Sequence, residues 1–156
     1  MRHNTQRARI GAFELTYLLI GALLLLLLGA IAARGQAQQP LYREYRGVSL
    51  GMTAAETRAK MGEPAMKSDD QDFYVFTTNE TTQIVYENQK VVTISTDYTN
   101  GVGAPDYKRV VGEGLLERPD GSLFRMVMYT PQGFWVSYNK SASVVPVVTV
   151  TIGTLR

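Results

Sequence analysis

Asp69, Asp70 and Asp72 stand close to the spacing at which a calcium loop presents its first ligands, in a chain of 156 residues. That loop also needs a glycine directly after its third acidic position, for the sharp turn. Phe73 stands there instead. The three aspartates therefore read as a solvated turn leading into a strand. Gly101-x-Gly103 and Gly112-x-Gly114 lack the third glycine and the strand–turn–helix setting of a phosphate cradle, and read as turns. The single histidine is His3 and there is no cysteine. Cys/His zinc sites and Ser-His-Asp triads are thereby excluded from the body of the chain. An enzyme here would have to work with carboxylates alone, and spacing singles out no pair. Neither a cofactor nor a metal is expected, and the reading is non-enzymatic.

Binding chemistry is better represented. Trp135, Tyr129, Arg125 and Phe73 are of the types that anchor protein interfaces. Period-two alternation assigns all four to one sheet face, opposite the helices. They are the candidate partner-binding residues. Packing across the strands could also account for them.

These side chains sit on segments rich in Val, Ile, Tyr, Phe and Thr. Residues 72–78, 82–87 and 91–98 read as strands joined by short turns, hence as antiparallel hairpins. The helix-side face is expected to hold Tyr74, Phe76, Ile84, Tyr86, Val92 and Ile94 in the first half. In the second half it is expected to hold Phe124, Met126, Met128, Phe134, Val136, Tyr138, Val148 and Val150. Before the first strand, Thr53-Ala-Ala-Glu56 has the form of a capping box. Gly62 can end the helix with a positive φ, and Pro64 forbids its continuation. Ala55, Ala59 and Gly62, at i, i+4 and i+7, would form a small face close to the sheet.

A shift of 50 residues lays Glu56 and Gly62-Glu63 onto Asp106 and Gly112-Glu113. Ile84-Val-Tyr86 matches Val136-Ser-Tyr138, and Val91-Val-Thr-Ile94 matches Val147-Val-Thr-Val150. The simplest reading is a tandem repeat of one α-β-β-β unit, at 47–99 and 100–156. The fold class expected is α+β: a six-stranded antiparallel sheet with two short helices on one face, preceded by a transmembrane helix. Pro146 marks either an edge strand or a strand beginning.

The stretch Gly47-Val-Ser-Leu-Gly51-Met52-Thr53, with Glu56 and Met61-Gly62-Glu-Pro64, resembles the BamE/SmpA-OmlA-like family over about residues 46–98. Gly51, Met52, Thr53, Glu56, Gly62 and Pro64 carry the structural motif. Two positions depart from the pattern. Thr57 or Arg58 stands where the family has an apolar helix residue, and no cysteine exists to carry a lipid anchor. The tandem arrangement also resembles the β-lactamase-inhibitor type, a non-enzymatic binder, without its inhibitor-specific residues. The first resemblance implies an extracytoplasmic protein, and the second a binder without enzymatic activity.

The amino-terminal part points to a membrane. Residues 1–13 form a basic tail, and 15–33 is a run of 19 residues without a formal charge. At 1.5 Å per residue that run spans about 28 Å as a helix, enough for the hydrocarbon core. Residues 14–34 are read as a single-pass anchor, longer than a signal-peptide core. Gly35-Gln-Ala37 is nevertheless a usable cleavage site, which would release the domain. Phe13-Glu14-Leu15 has a prepilin look, but the glutamate expected at the fifth mature position is Tyr17. Residues 35–46 read as a linker. From residue 38 onward 12 Lys and Arg face 13 Asp and Glu, so the domain lacks the positive field that nucleic acid requires.

The function expected is a membrane-anchored, extracytoplasmic (periplasmic) protein-binding or envelope-assembly module. The alternative is a secreted small-ligand-binding or inhibitor-type domain, released by cleavage after Ala37.

Overall fold

A computed structural model describes residues 42–112 and 114–156. The expected anchor at 14–34 and the cleavage site at Ala37 lie outside the described residues. Among the described residues no helix is long and apolar enough to cross a membrane. The elements run β1 (Glu44–Tyr45), β2 (Val48–Ser49), α1 (Ala54–Met61), β3 (Met66–Lys67), β4 (Gln71–Thr77), β5 (Glu80–Glu87) and β6 (Lys90–Thr99). Then follow α2 (Tyr107–Val111), β7 (Leu116–Glu117), β8 (Leu123–Tyr129), β9 (Phe134–Lys140) and β10 (Val147–Thr154). This is an α+β arrangement, mostly antiparallel sheet.

The main sheet has eight strands in the order β3-β4-β5-β6-β10-β9-β8-β7, where six were expected. The two extra strands, β3 and β7, are its outermost members and only two residues long. Neither is long enough to show an alternation. Each half runs helix, two-residue strand, then three longer strands, and the halves meet where β6 pairs with β10. Pro146 precedes β10, which pairs on both sides, so it marks a strand beginning and not an edge.

The register decides which side chains are buried. Asp72, Ile84, Ile94, Ile152, Val136 and Val127 fall in one row across β4, β5, β6, β10, β9 and β8. Ile84, Ile94, Ile152 and Val136 at its centre are almost fully buried. Side chains in this row face the helices. α1 reaches it through Arg58, which hydrogen-bonds Asp72. α2 packs Tyr107 edge-on against Tyr138, two residues from Val136 on the same face.

Strand β8 departs from expectation. Phe124, Met126 and Met128 were assigned to the helix side, but Met126 pairs with Ser137 and Met128 with Trp135, on the open side. Arg125, Val127 and Tyr129 face the helices instead. Both faces of β8 carry large side chains, so alternation alone could not choose between them. Pairing with Val136 and Tyr138 of β9 did, and a one-residue slip would invert every position. In β6 it is Val91, not Val92, that is buried, because the ladder shifts between Val85 and Tyr86.

Residues 42–46 are part of the folded unit and not linker. Tyr45 is buried, and β1 pairs with β2 across a two-residue turn. The Gly-Met-Thr segment runs beside the start of β6. The Gly51 amide donates to the Val91 carbonyl at 2.8 Å, and the Val91 amide donates to the Met52 carbonyl at 2.8 Å. That pairing sets the phase of α1. The capping box is complete: the Glu56 amide donates to Thr53 Oγ1 at 3.2 Å, and the Thr53 amide donates to Glu56 Oε2 at 2.8 Å. The hydrogen bonds that its carboxylate accepts from the Thr53 amide and hydroxyl hold the exposed Glu56 below its ordinary range. The buried stripe is not the expected one. Thr57 is fully buried, with Ala54 and Met61 packed against the core, while Ala55, Ala59 and Gly62 are exposed. Asp106 caps α2, its carboxylate accepting from the Lys108 amide at 2.7 Å.

Removing the cap hydroxyl with Thr53→Ala is expected to lower stability by about 1 kcal/mol in urea unfolding. Gly62 ends the helix at φ 84° with its amide bonded to the Arg58 carbonyl. A β-branched side chain is strained at that φ. Gly62→Val is therefore expected to cost more than Thr53→Ala, although open space surrounds the site.

Candidate functional site

The four candidate partner residues do not form one patch. Register places Arg125 and Tyr129 on the helix face. Tyr129 is buried and stacks on Phe134 at 5.0 Å, and Arg125 Nη1 donates to the Gly114 carbonyl at 2.8 Å. Phe73 and Trp135 do share the open face, but β5, β6 and β10 lie between their strands. Four strand spacings separate them, about 19 Å. The same phase of β8 that buries Tyr129 brings two methionines to the surface.

Met126 is 39 % and Met128 63 % exposed. With Val92, Trp135 and Leu155 they line a shallow cleft of about 420 Å³ on the open face. Trp135 is half-buried because its ring lies flat over Gly153, its partner on β10. A methyl group on Gly153 would come within 2.5 Å of Trp135 Cζ2. Glycine is thus required by close approach, and the indole forms the floor of the cleft. Methionine, unbranched and polarizable, suits a surface that must adapt to a partner.

A second, open cleft of about 850 Å³ adjoins the first at Thr154, which lines both. Arg43, Glu44 and Leu50 line it from the β1–β2 side, and Gln132, Phe134 and Thr154 from the second half. Its walls are mixed polar and apolar, with one charge of each sign.

Beneath α1 lies the most polar part of the core. The Asp72 carboxylate is fully buried, and Arg58 grips it with both arms. Nε donates to Oδ2 at 2.9 Å and Nη2 to Oδ1 at 2.7 Å. The Tyr86 hydroxyl donates to Oδ2 at 2.8 Å. Burial and the carboxylate beside it push the Tyr74 phenol up to about 12, and the Tyr86 phenol is raised for the same reasons. Asp72 is therefore not part of a solvated turn. Asp69 and Asp70 are exposed, as that reading required, with Asp70 held by the Ser68 hydroxyl. Among the described residues no cluster of His, Cys, Asp or Glu could hold a metal ion. A further polar group pins β1 to the sheet: Tyr45 Oη donates to Glu80 Oε1 at 2.6 Å, and Arg46 pairs with the same carboxylate at 3.0 Å.

The Arg58–Asp72 arrangement satisfies itself and offers no free group for chemistry. Its role is to hold α1 on β4. Arg58→Ala would leave a buried carboxylate without its cation, and is expected to cost about 3 kcal/mol in equilibrium unfolding. The chain has one tryptophan, so the cleft floor reports on itself. Gly153→Ala is expected to displace Trp135, red-shift its emission and cost about 1–3 kcal/mol through overpacking.

No protein-family model, no curated protein and no solved structure matches the chain.

Proposed function

We propose that the chain is a non-enzymatic, membrane-anchored module, with its domain on the extracytoplasmic side, that binds a protein partner in the cell envelope. The observation that carries this reading is the uncovered methionine surface on the open sheet face, with Trp135 as its floor. Contiguous exposed apolar surface of this kind favours an interaction site over scattered exposure. The capped helix between Gly51 and Pro64, followed by antiparallel strands, supports a BamE-like module. The 19-residue uncharged run supports the anchor. The small-ligand alternative, released after Ala37, draws its support from the 850 Å³ cleft lined by Arg43, Glu44 and Phe134, whose size suits a small molecule.

A photo-crosslinking amino acid at Met128 tests the reading in native membranes. A discrete protein adduct is expected at Met128 and absent from the same probe at Thr149, which shares the open face but lies at its other end. No adduct above the Thr149 background would remove the open face as the binding surface. Met128→Glu in the crosslinked background is expected to reduce the adduct of a probe at Met126 with little change in unfolding, since Met128 is largely exposed.

A further inference from the structure

We propose that Met126 and Met128 hold a soft monovalent cation, Cu(I), above the indole ring of Trp135. The site shares the open sheet face with the partner reading and does not depend on it. Excluding Cys/His chemistry leaves thioether chemistry untouched, and six methionines carry all of the chain's sulfur. Met126 and Met128 are two residues apart on β8, and both line the cleft of about 420 Å³. Residues two apart on a strand share a face and stand about 7 Å from each other. Three rotatable bonds in each side chain let the two sulfurs converge on one ion.

Register supplies the third contact. Met128 lies directly opposite Trp135, and Met126, opposite Ser137, is its diagonal neighbour. Such pairs lie about 5 Å and about 7–8 Å apart, within reach of long side chains. The indole lies flat over Gly153, so one of its faces is covered and the other forms the floor of the cleft. A tryptophan face is the strongest aromatic seat for a cation. An ion bound there meets two thioether sulfurs from one strand and a π face from the next.

Ligand chemistry selects the metal. Thioether sulfur is soft and uncharged, and it favours Cu(I) over the hard divalent ions, which take oxygen ligands. Neutral ligands in an apolar cleft cannot offset a double charge, so Zn(II) would give up its hydration without a compensating anion. Arg156, which also lines the cleft, is paired with Glu87, so its charge is balanced. Exposure fits the role as well. Met128 is 63 % exposed, where a hydrocarbon side chain gains little from burial but a ligand can be reached from solvent. Met66 is as exposed, at 64 %, and stands opposite Phe73 on the same face. It has no second methionine on its own strand or the next, and serves as the control.

The single tryptophan reports on the site. The full chain, in detergent and free of oxygen, is titrated with Cu(I) and separately with Ag(I), its redox-stable analogue. Saturable, stoichiometric quenching of Trp135 emission is expected with either ion and not with Zn(II). Met126→Leu and Met128→Leu, which keep the side-chain volume, are each expected to weaken binding several-fold without changing the unfolding transition. Met66→Leu is expected to leave binding unchanged. Quenching that is absent in the wild type, persists undiminished when both cleft methionines are leucine, or is matched by Zn(II) overturns the site. So does equal weakening by Met66→Leu. A partner adduct at Met128 with no quenching by Cu(I) or Ag(I) sinks the metal site and leaves the partner reading standing, and quenching without an adduct does the reverse.

Discussion

A fully buried carboxylate at Asp72 is the constraint on which the first half of the molecule depends. An unpaired charge in that position would cost several kcal/mol. Two arms of Arg58 and the Tyr86 hydroxyl supply what it lacks. To reach it, α1 must turn Thr57 and Arg58 toward the sheet, which sends Ala55 and Ala59 to solvent. Strand β4 is locked by the same contact: a slip of one residue would carry Asp72 to the open face and break the pair. The helix thus docks through a fork of hydrogen bonds where an apolar knob would have served. Arg58 alone makes this contact, with Thr57 fully buried beside it.

The second half solves the same problem with different chemistry. Its helix is shorter, and it buries Val110 and Val111 while Tyr107 meets Tyr138 edge-on. Arg125 faces the helix side, but it is spent on the Gly114 carbonyl in the segment after α2. One scaffold, helix then meander, is therefore held by a polar clamp in one copy and by apolar packing in the other. The seam between them, β6 against β10, is long and mostly β-branched, with the Ser95 and Thr151 hydroxyls hydrogen-bonded across it at 3.0 Å.

The helices cover one face of this sheet and leave the other to water or to partners. On that open face the polar residues lie mainly along the middle strands: Gln83, Thr93, Ser95, Thr149 and Thr151. Apolar side chains collect toward β8 and β9, where Met126, Met128 and Trp135 meet. A binding surface there would sit on rigid strands, its floor set by the contact of Trp135 with Gly153. The short edge strand β7 pairs with β8 only at Leu123 and Phe124, so the methionine surface reaches the edge of the sheet.

Local chemistry is legible from residue order alone. The capping box, the positive φ at Gly62, the hairpin turns, the exclusion of Cys/His sites and the antiparallel class all rest on neighbours within a few positions. Backbone sterics and short-range hydrogen bonds decide them. The face taken by each strand is different wherever both faces carry large side chains. In β8 the string Phe-Arg-Met-Val-Met-Tyr satisfies alternation in either phase, and only pairing with Val136 and Tyr138 of β9 selects one. That choice separated Arg125 and Tyr129 from Trp135 and put Met126 and Met128 in their place. Asp72 shows the same limit from the other side: three aspartates in four positions look solvated until a cation fourteen residues earlier is folded against one of them. Contacts of that range are made by the tertiary structure, because burial, and not residue type, sets what a charge or a methionine is worth.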